Sequence, residues 1–357
     1  MASTSGFVWS NDLVIDTYTV TTSDGQPLVM ERFRSRRHLG TQGLPVMLVH
    51  GLGQNRYTWY SSRISIPKYL ADMGMDVYVP ELRGHGLSHD AGSVHPASFA
   101  EYVIMDIPAL LEKVHALTGG MKLFFVGHSL GGTIAYALEP AMERYLAGIV
   151  TLGAPLRFAR GLLLMRTVCQ LIALAYRYTP LRSAEVFDKR LAFPAELYGK
   201  MLLFTRGLQD SWLNLWPYKA WYPGSFDTDV LDDRLALGFD RTSFEMMKFM
   251  IMWAGRGRLF DQTHTTKFEK NLQSRTLPVL FFIGDRDCVV PVESVLPAYK
   301  KMRVKDKAYV ILGDDKRDIH WGHLDIVLGR EASKEVWGPM ASWMLVRAER
   351  ATGPMGG

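Results

Sequence analysis

The chain has 357 residues, 48% of them apolar and 22% charged, and a net charge of +5. This is the balance of a soluble globular protein with a sizeable core, sized for two average domains or for one α/β domain with a large insertion. The basic residues are scattered. Their one dense cluster, "RFRSRR" (32–37), is too short for a nucleic-acid stripe and reads as solvated surface. Two cysteines far apart, Cys169 and Cys288, make no disulfide framework and no metal spacing, and are expected to be buried free thiols.

In chain order, the opening "MASTSGFVWSNDLVIDTY" lacks a basic start followed by an apolar core, so no secretory signal is expected and the chain reads as cytoplasmic. "DTYTVTTSDGQPLVMERF" (16–33) predicts a hairpin turning at Asp24-Gly25 and hence an antiparallel edge. Short apolar runs follow at 45–51, 75–81, 122–129, 147–155, 277–285 and 307–314. Continuous apolar runs of this length suit strands of a parallel sheet covered on both faces. Helical patterns lie between most of them, at 61–73, 99–117 with a kink at Pro108, 130–146, 293–303 and 324–348. The alternation predicts a mostly parallel, doubly wound α/β sheet.

Residues 156–272 interrupt that rhythm. They are far too long for a crossover and hold Leu, Met, Trp and Tyr at helical spacing, as in "TSFEMMKFMIMWAG" (242–255), so they need structure of their own. The expected organisation is a core in two parts, 1–155 and 273–357, with a helical cap at 156–272. Within the cap, 157–177 mixes Arg157, Arg160, Arg166 and Arg177 with Leu and Ile. It reads as a cap helix, with a lid resting on a lipid surface as the alternative; it is too short to span a bilayer.

The chemistry gathers at strand ends. "GHSLG" (127–131) is G-x-S-x-G between a strand and a helix. So tight a turn strains the serine backbone and leaves no room for flanking side chains, which Gly127, Gly131 and Gly132 avoid. The turn lifts the Ser129 hydroxyl to a helix N-terminus, where free N–H groups favour developing negative charge. A serine nucleophile needs a general base, and the base needs an acid to orient it. Asp285 and Asp287 follow the 277–285 strand, and His320 and His323 follow the last strand. Asp287 is favoured as the acid because it lies farther into the loop, with Asp285 making the turn. His323 is favoured as the base because it sits at a loop-to-helix junction, with His320 a loop or pocket residue and Asp325 a first-turn acid stabilised by the helix dipole. Oxyanion donors are expected from the backbone N–H groups of Leu130 and of Leu52 in "HGLGQN" (50–55), with His50 bracing that loop.

In these segments, together with "RGHGLS" (83–88), the chain resembles the α/β-hydrolase superfamily, and within it the acid lipase branch and its bacterial esterase and lipase relatives. "DGQPL" (24–28), "ADMGMDVYVPELRGHG" (71–86) and "GHLDIVLG" (322–329) carry the closer likeness. The resemblance covers roughly 15–155 and 273–350 and not the cap. It implies the α/β-hydrolase fold, a Ser129–Asp287–His323 triad, Leu52 and Leu130 as oxyanion donors, and "RGHGLS" as a structural turn with His85 a candidate pocket neighbour. The expected activity is hydrolysis of carboxylic esters through an acyl-enzyme, with an apolar acyl group suggested by the greasy cap and with no cofactor or metal. Thioester, amide or acyl-transfer chemistry at the same site, and a non-catalytic ligand-binding role, are the alternatives.

Overall fold

The computed structural model describes residues 9–158, 192–211, 219–256 and 268–352, together with positions 7, 167, 170, 171 and 259. Cys169, most of the predicted 157–177 helix, and the residues 1–6 and 353–357 lie outside the described residues.

The first two strands, β1 (Leu13–Thr21) and β2 (Pro27–Ser35), form an antiparallel hairpin in the register Leu13↔Ser35 to Thr21↔Pro27. Its turn uses Gly25 at φ +80°, a conformation that costs glycine little. The strands β3 (Leu44–Val49), β4 (Met75–Glu81), β5 (Leu123–His128) and β6 (Leu146–Leu152) follow. The inserted stretch contributes a separate two-stranded ladder, β7 (Ala192–Phe193) with β8 (Thr242–Ser243). β9 (Val279–Gly284) and β10 (Lys307–Leu312) then complete one eight-stranded sheet of order β1-β2-β4-β3-β5-β6-β9-β10. From β4 to β10 every pair is parallel. The apolar runs become these strands because both faces are covered. One face packs Phe125, Ile149 and Phe281 with Leu110 and Ile134, and the other packs Val46, Val126 and Phe282 with Leu70, Trp337 and Met340.

Helices Ile66–Asp72, Ile107–Leu117, Leu130–Ala137 and Val292–Lys301 flank the sheet. Three predicted helices are shorter or broken. The 61–73 helix starts only at Ile66, where Ser65 caps the Lys68 N–H at 3.1 Å. The 130–146 helix ends at Ala137 and gives way to a 3₁₀ turn opening at Pro140, a residue that cannot continue the ladder. The 324–348 helix is interrupted at Gly329, so that Asp325–Leu328 stands apart from Gly338–Thr352. Near Pro108 a π-helical turn, Tyr102–Asp106, absorbs the missing N–H.

β6 and β9 are neighbours in the sheet, yet the chain between them runs from 153 to 278. Its described elements include helices Glu196–Phe204, Thr228–Leu237, Phe244–Arg256 and Phe268–Gln273. The last of these returns to the core, with Asn271 donating to the Ala137 carbonyl at 2.9 Å. The insert is also tied to the loop after β3. The Asp240 N–H donates to the Gly53 carbonyl at 2.8 Å, Asn55 Nδ2 donates to the Leu237 carbonyl at 2.8 Å, and Gln54 bridges Phe239.

The "RGHGLS" turn is built around a fully buried Arg83. Its guanidinium donates to Asp106 at 2.7 Å and to Asp24 and Glu101 at 2.8 Å, fastening the hairpin turn to the sheet. His85 is buried with Nδ1 on the Arg83 carbonyl at 2.8 Å. It packs against His50 rather than lining the large cavity described below.

Candidate active site

Ser129 sits between β5 and helix Leu130–Ala137 with φ 52° and ψ −117°, a strained backbone that other side chains than glycine rarely adopt. The corner is held by its own N–H, which donates to the Leu152 carbonyl at 2.9 Å. It is also held by close packing: a Cβ on Gly127 would lie 2.4 Å from the Gly132 nitrogen, and one on Gly131 2.2 Å from the Val49 carbonyl oxygen. The neighbouring backbones occupy the space a side chain needs, so the turn closes only with glycine.

His323 Nε2 lies 3.0 Å from Ser129 Oγ, and His323 Nδ1 lies 2.7 Å from Asp287 Oδ2. A carboxylate only accepts, so this contact places the ring hydrogen on Nδ1 and turns the Nε2 lone pair toward the serine. The other Asp287 oxygen accepts the Val289 and Val290 N–H groups at 2.8 and 2.6 Å, which fixes the carboxylate from behind. Asp287 and His323 are both buried. The structure thus brings Ser129, His323 and Asp287 into one hydrogen-bonded line.

Leu52 and Leu130 line the same cavity as Ser129. Leu130 is the first residue of its helix, where N–H groups have no partner within the helix. His50 is buried, with Nδ1 on the Gly51 carbonyl at 2.9 Å and Nε2 accepting the Leu82 N–H at 3.1 Å. Burial, with His85 beside it, lowers its pKa to about 3, so the ring stays neutral and can accept there. It braces the loop.

Asp285 and His320 do not reach the serine; they bind each other at 2.6 Å. Asp325 opens helix Asp325–Leu328, as expected. It is buried, and its carboxylate turns back to accept the Gly322 and Tyr222 N–H groups at 2.9 and 3.1 Å. Burial raises its pKa from 3.8 to about 6, so loss of solvent outweighs the hydrogen bonds that favour the charged form. Cys288 is half-buried, not buried, with Sγ 3.5 Å from the Arg286 carbonyl.

Two residues escape the motif reading. Gln54 Oε1 accepts the Gly51 N–H at 3.3 Å and the Thr58 hydroxyl at 3.0 Å, holding the loop of Leu52 in shape. His128 stands beneath the serine, with Nε2 3.1 Å from the His323 carbonyl oxygen. The signal for both was present, a glutamine closing "HGLGQN" and a histidine at the first variable position of G-x-S-x-G.

Ser129 and His323 open onto a cavity of about 530 Å³. Its walls are almost wholly apolar. Met247, Met250, Ile251 and Ala254 come from one face of helix Phe244–Arg256, Phe158 from the start of the inserted stretch, and Val289 and Val290 from the core. An adjoining face of that helix buries Met246 and Phe249, and the buried Trp253 also lines the cavity, so the Met-rich run serves both as packing and as wall.

A strand-to-helix serine corner on a parallel sheet, with a histidine and an acid from later strand ends, defines the class of α/β hydrolases. A profile of the alpha/beta hydrolase fold family matches residues 45–328, and the chain belongs to that family. Within it the chain is lipase-like. Lipase member K of Homo sapiens is 23% identical over 361 residues, which cover 90% of this chain and 85% of that protein. Triacylglycerol lipase 2 of Arabidopsis thaliana is 32% identical over 134 residues, 34% of this chain and 32% of that protein. Among solved structures, the monoacylglycerol lipase of Paleococcus ferrophilus shares the fold, with a TM-score of 0.54 and 18% identity across 94% of this chain and 99% of that one. Among the described residues no helix is long and apolar enough to cross a membrane.

Proposed function

We propose that this lipase- and esterase-type hydrolase cleaves esters of apolar acyl groups through an acyl-enzyme formed on Ser129. The observation that carries the reading is the Ser129–His323–Asp287 line opening on an apolar cavity. Ser129 Oγ attacks the acyl carbonyl while His323 Nε2 takes its proton. Asp287 holds the ring and stabilises its charged form. The Leu52 and Leu130 N–H groups receive the oxyanion. His323 then protonates the leaving alkoxide, and later takes a proton from the water that releases the acid.

The inserted stretch acts as a cap that supplies the acyl wall. An exposed apolar stripe on its helix Glu196–Phe204, made of Leu197, Met201 and Phe204, follows helical spacing. It stands beside Ala195 and Tyr198 at the cavity, which supports contact with a lipid surface during substrate uptake. The relatives named as lipases favour the same substrate class.

The test is hydrolysis of p-nitrophenyl esters from C2 to C16 by the wild type and Ser129→Ala, with fluorophosphonate labelling alongside. Activity and labelling that both vanish in Ser129→Ala support the reading. A wild type that neither turns over any ester nor labels would exclude it and favour a non-catalytic binding protein.

A further inference from the structure

The two loops that bear Asp287 and His323 leave the ends of neighbouring strands. β9 and β10 are paired from Lys307↔Val279 to Leu312↔Gly284, so the sheet is secured before either loop begins. Past that ladder a second acid–histidine pair crosses between them. Asp285 Oδ2 meets His320 Nδ1 at 2.6 Å, and Asp285 Oδ1 accepts the Trp321 N–H at 2.9 Å. The Arg286 N–H donates to the Trp321 carbonyl at 3.0 Å, and the Asp285 N–H donates to the Leu312 carbonyl at 3.0 Å. His320 is 8% exposed, and its ring packs on Tyr222 with centroids 5.0 Å apart. Its Nε2 faces the exposed carboxylates of Asp315 and Asp318 at 3.7 Å, and Arg286 Nε stands 3.7 Å from Asp285 Oδ2.

Asp287 lies two residues beyond Asp285, and His323 three beyond His320. Among the described residues, the remaining hydrogen bond that joins these two loops beyond the strand ends is Asp287–His323 itself. Without the crossing pair, the backbone bond from Arg286 to Trp321 would be left to hold the two loops together beside the acid and base themselves. Resting on the Ser129–Asp287–His323 reading of the site, we propose that Asp285 and His320 are a positioning pair, a strap that holds the Asp287 loop against the His323 loop and fixes the orientation of the catalytic imidazole. Neither residue touches substrate.

The test compares His320→Ala, His320→Asn and Asp285→Asn in the full chain. Asparagine at 320 keeps a donor near the place of Nδ1. The first readout is kcat, KM and the pH profile of kcat/KM on a p-nitrophenyl ester. The second is the far-downfield proton NMR signal of His323 Nδ1–H, assigned by its loss in Asp287→Asn. Because a misplacement near 1 Å can cost about 100-fold in rate, His320→Ala and Asp285→Asn are expected to lower kcat by about 10–100-fold with KM unchanged. They are also expected to move the pH profile and broaden the His323 signal, with His320→Asn restoring most of each. An unaltered His323 signal in folded His320→Ala overturns the proposal. So does a lowered Tm with wild-type kcat and pH profile. If His320→Ala does not fold, Asp285→Asn decides by the same readouts. The NMR signal needs no turnover, so an inactive wild type would count against the ester hydrolase reading while the strap is still judged.

Discussion

The imidazole of His128 lies directly behind His323, its Nε2 3.1 Å from the His323 carbonyl oxygen. Burial, reinforced by the nearby His323 and Arg234, holds its pKa well below the ordinary histidine range, so the ring is neutral. Nε2 faces one acceptor, the His323 carbonyl, and Nδ1 lies 3.2 Å from another, Gln54 Oε1, so the neutral ring donates to one of the two. Exchanging His128 for Phe keeps a ring in the space but removes the buried donor that the His323 carbonyl and Gln54 Oε1 face. The expected result is a loss of about 1–3 kcal/mol in stability, together with a lower kcat. Denaturant unfolding and steady-state kinetics on the same preparation measure both.

Asp287→Asn should leave the backbone in place, since the Val289 and Val290 N–H groups still find an oxygen. What changes is the His323 tautomer, because an amide can offer N–H where the carboxylate only accepts. Loss of about 10⁴-fold in kcat is expected, with fluorophosphonate labelling slowed in parallel and KM little changed.

Much of this arrangement was legible in the sequence because strand ends and glycines carry local signals. The order Ser129, Asp287, His323 and the corner at Gly127–Gly131 follow from spacing and sterics, and the apolar runs at 45–51 and 122–129 could bury on both faces only as strands. The role of Asp285 and His320 was not legible. Their partnership joins residues 35 apart in sequence, and nothing at either position announces the other. Asp325 was legible as a helix-opening acid, but its burial was not, because tertiary packing against distant segments sets it.

That burial has a pH signature. The folded pKa of Asp325 is raised from 3.8 to about 6, so between about pH 4 and 6 the unfolded chain releases a proton that the folded chain keeps. The folded state then binds more protons, and stability falls as pH rises through that window and levels above it. Asp325→Asn should remove the effect, on the order of 1–3 kcal/mol. The measurement is the difference in unfolding free energy between wild type and variant at pH 4 and pH 7, which cancels the other buried acids.

Met250 lines the cavity from the insert. Met250→Trp should fill part of the 530 Å³ and shift the preferred p-nitrophenyl ester to a shorter chain, while acetate hydrolysis stays near the wild-type rate. Met250→Ala should shift the optimum the other way. An unchanged chain-length profile in both variants would place the acyl group elsewhere.

The hydrogen bond from Asp240 to the Gly53 carbonyl bears on how such proteins diversify. The loop that carries Leu52 borrows part of its shape from the insert, so the insert is not a detachable module. Replacing it to obtain a new specificity would also remove a partner of Gly53 and of Asn55, and would disturb turnover even for a substrate the new walls fit. A productive exchange must carry the Leu237–Asp240 edge along with it, which makes that short edge the natural seam for recombination between relatives.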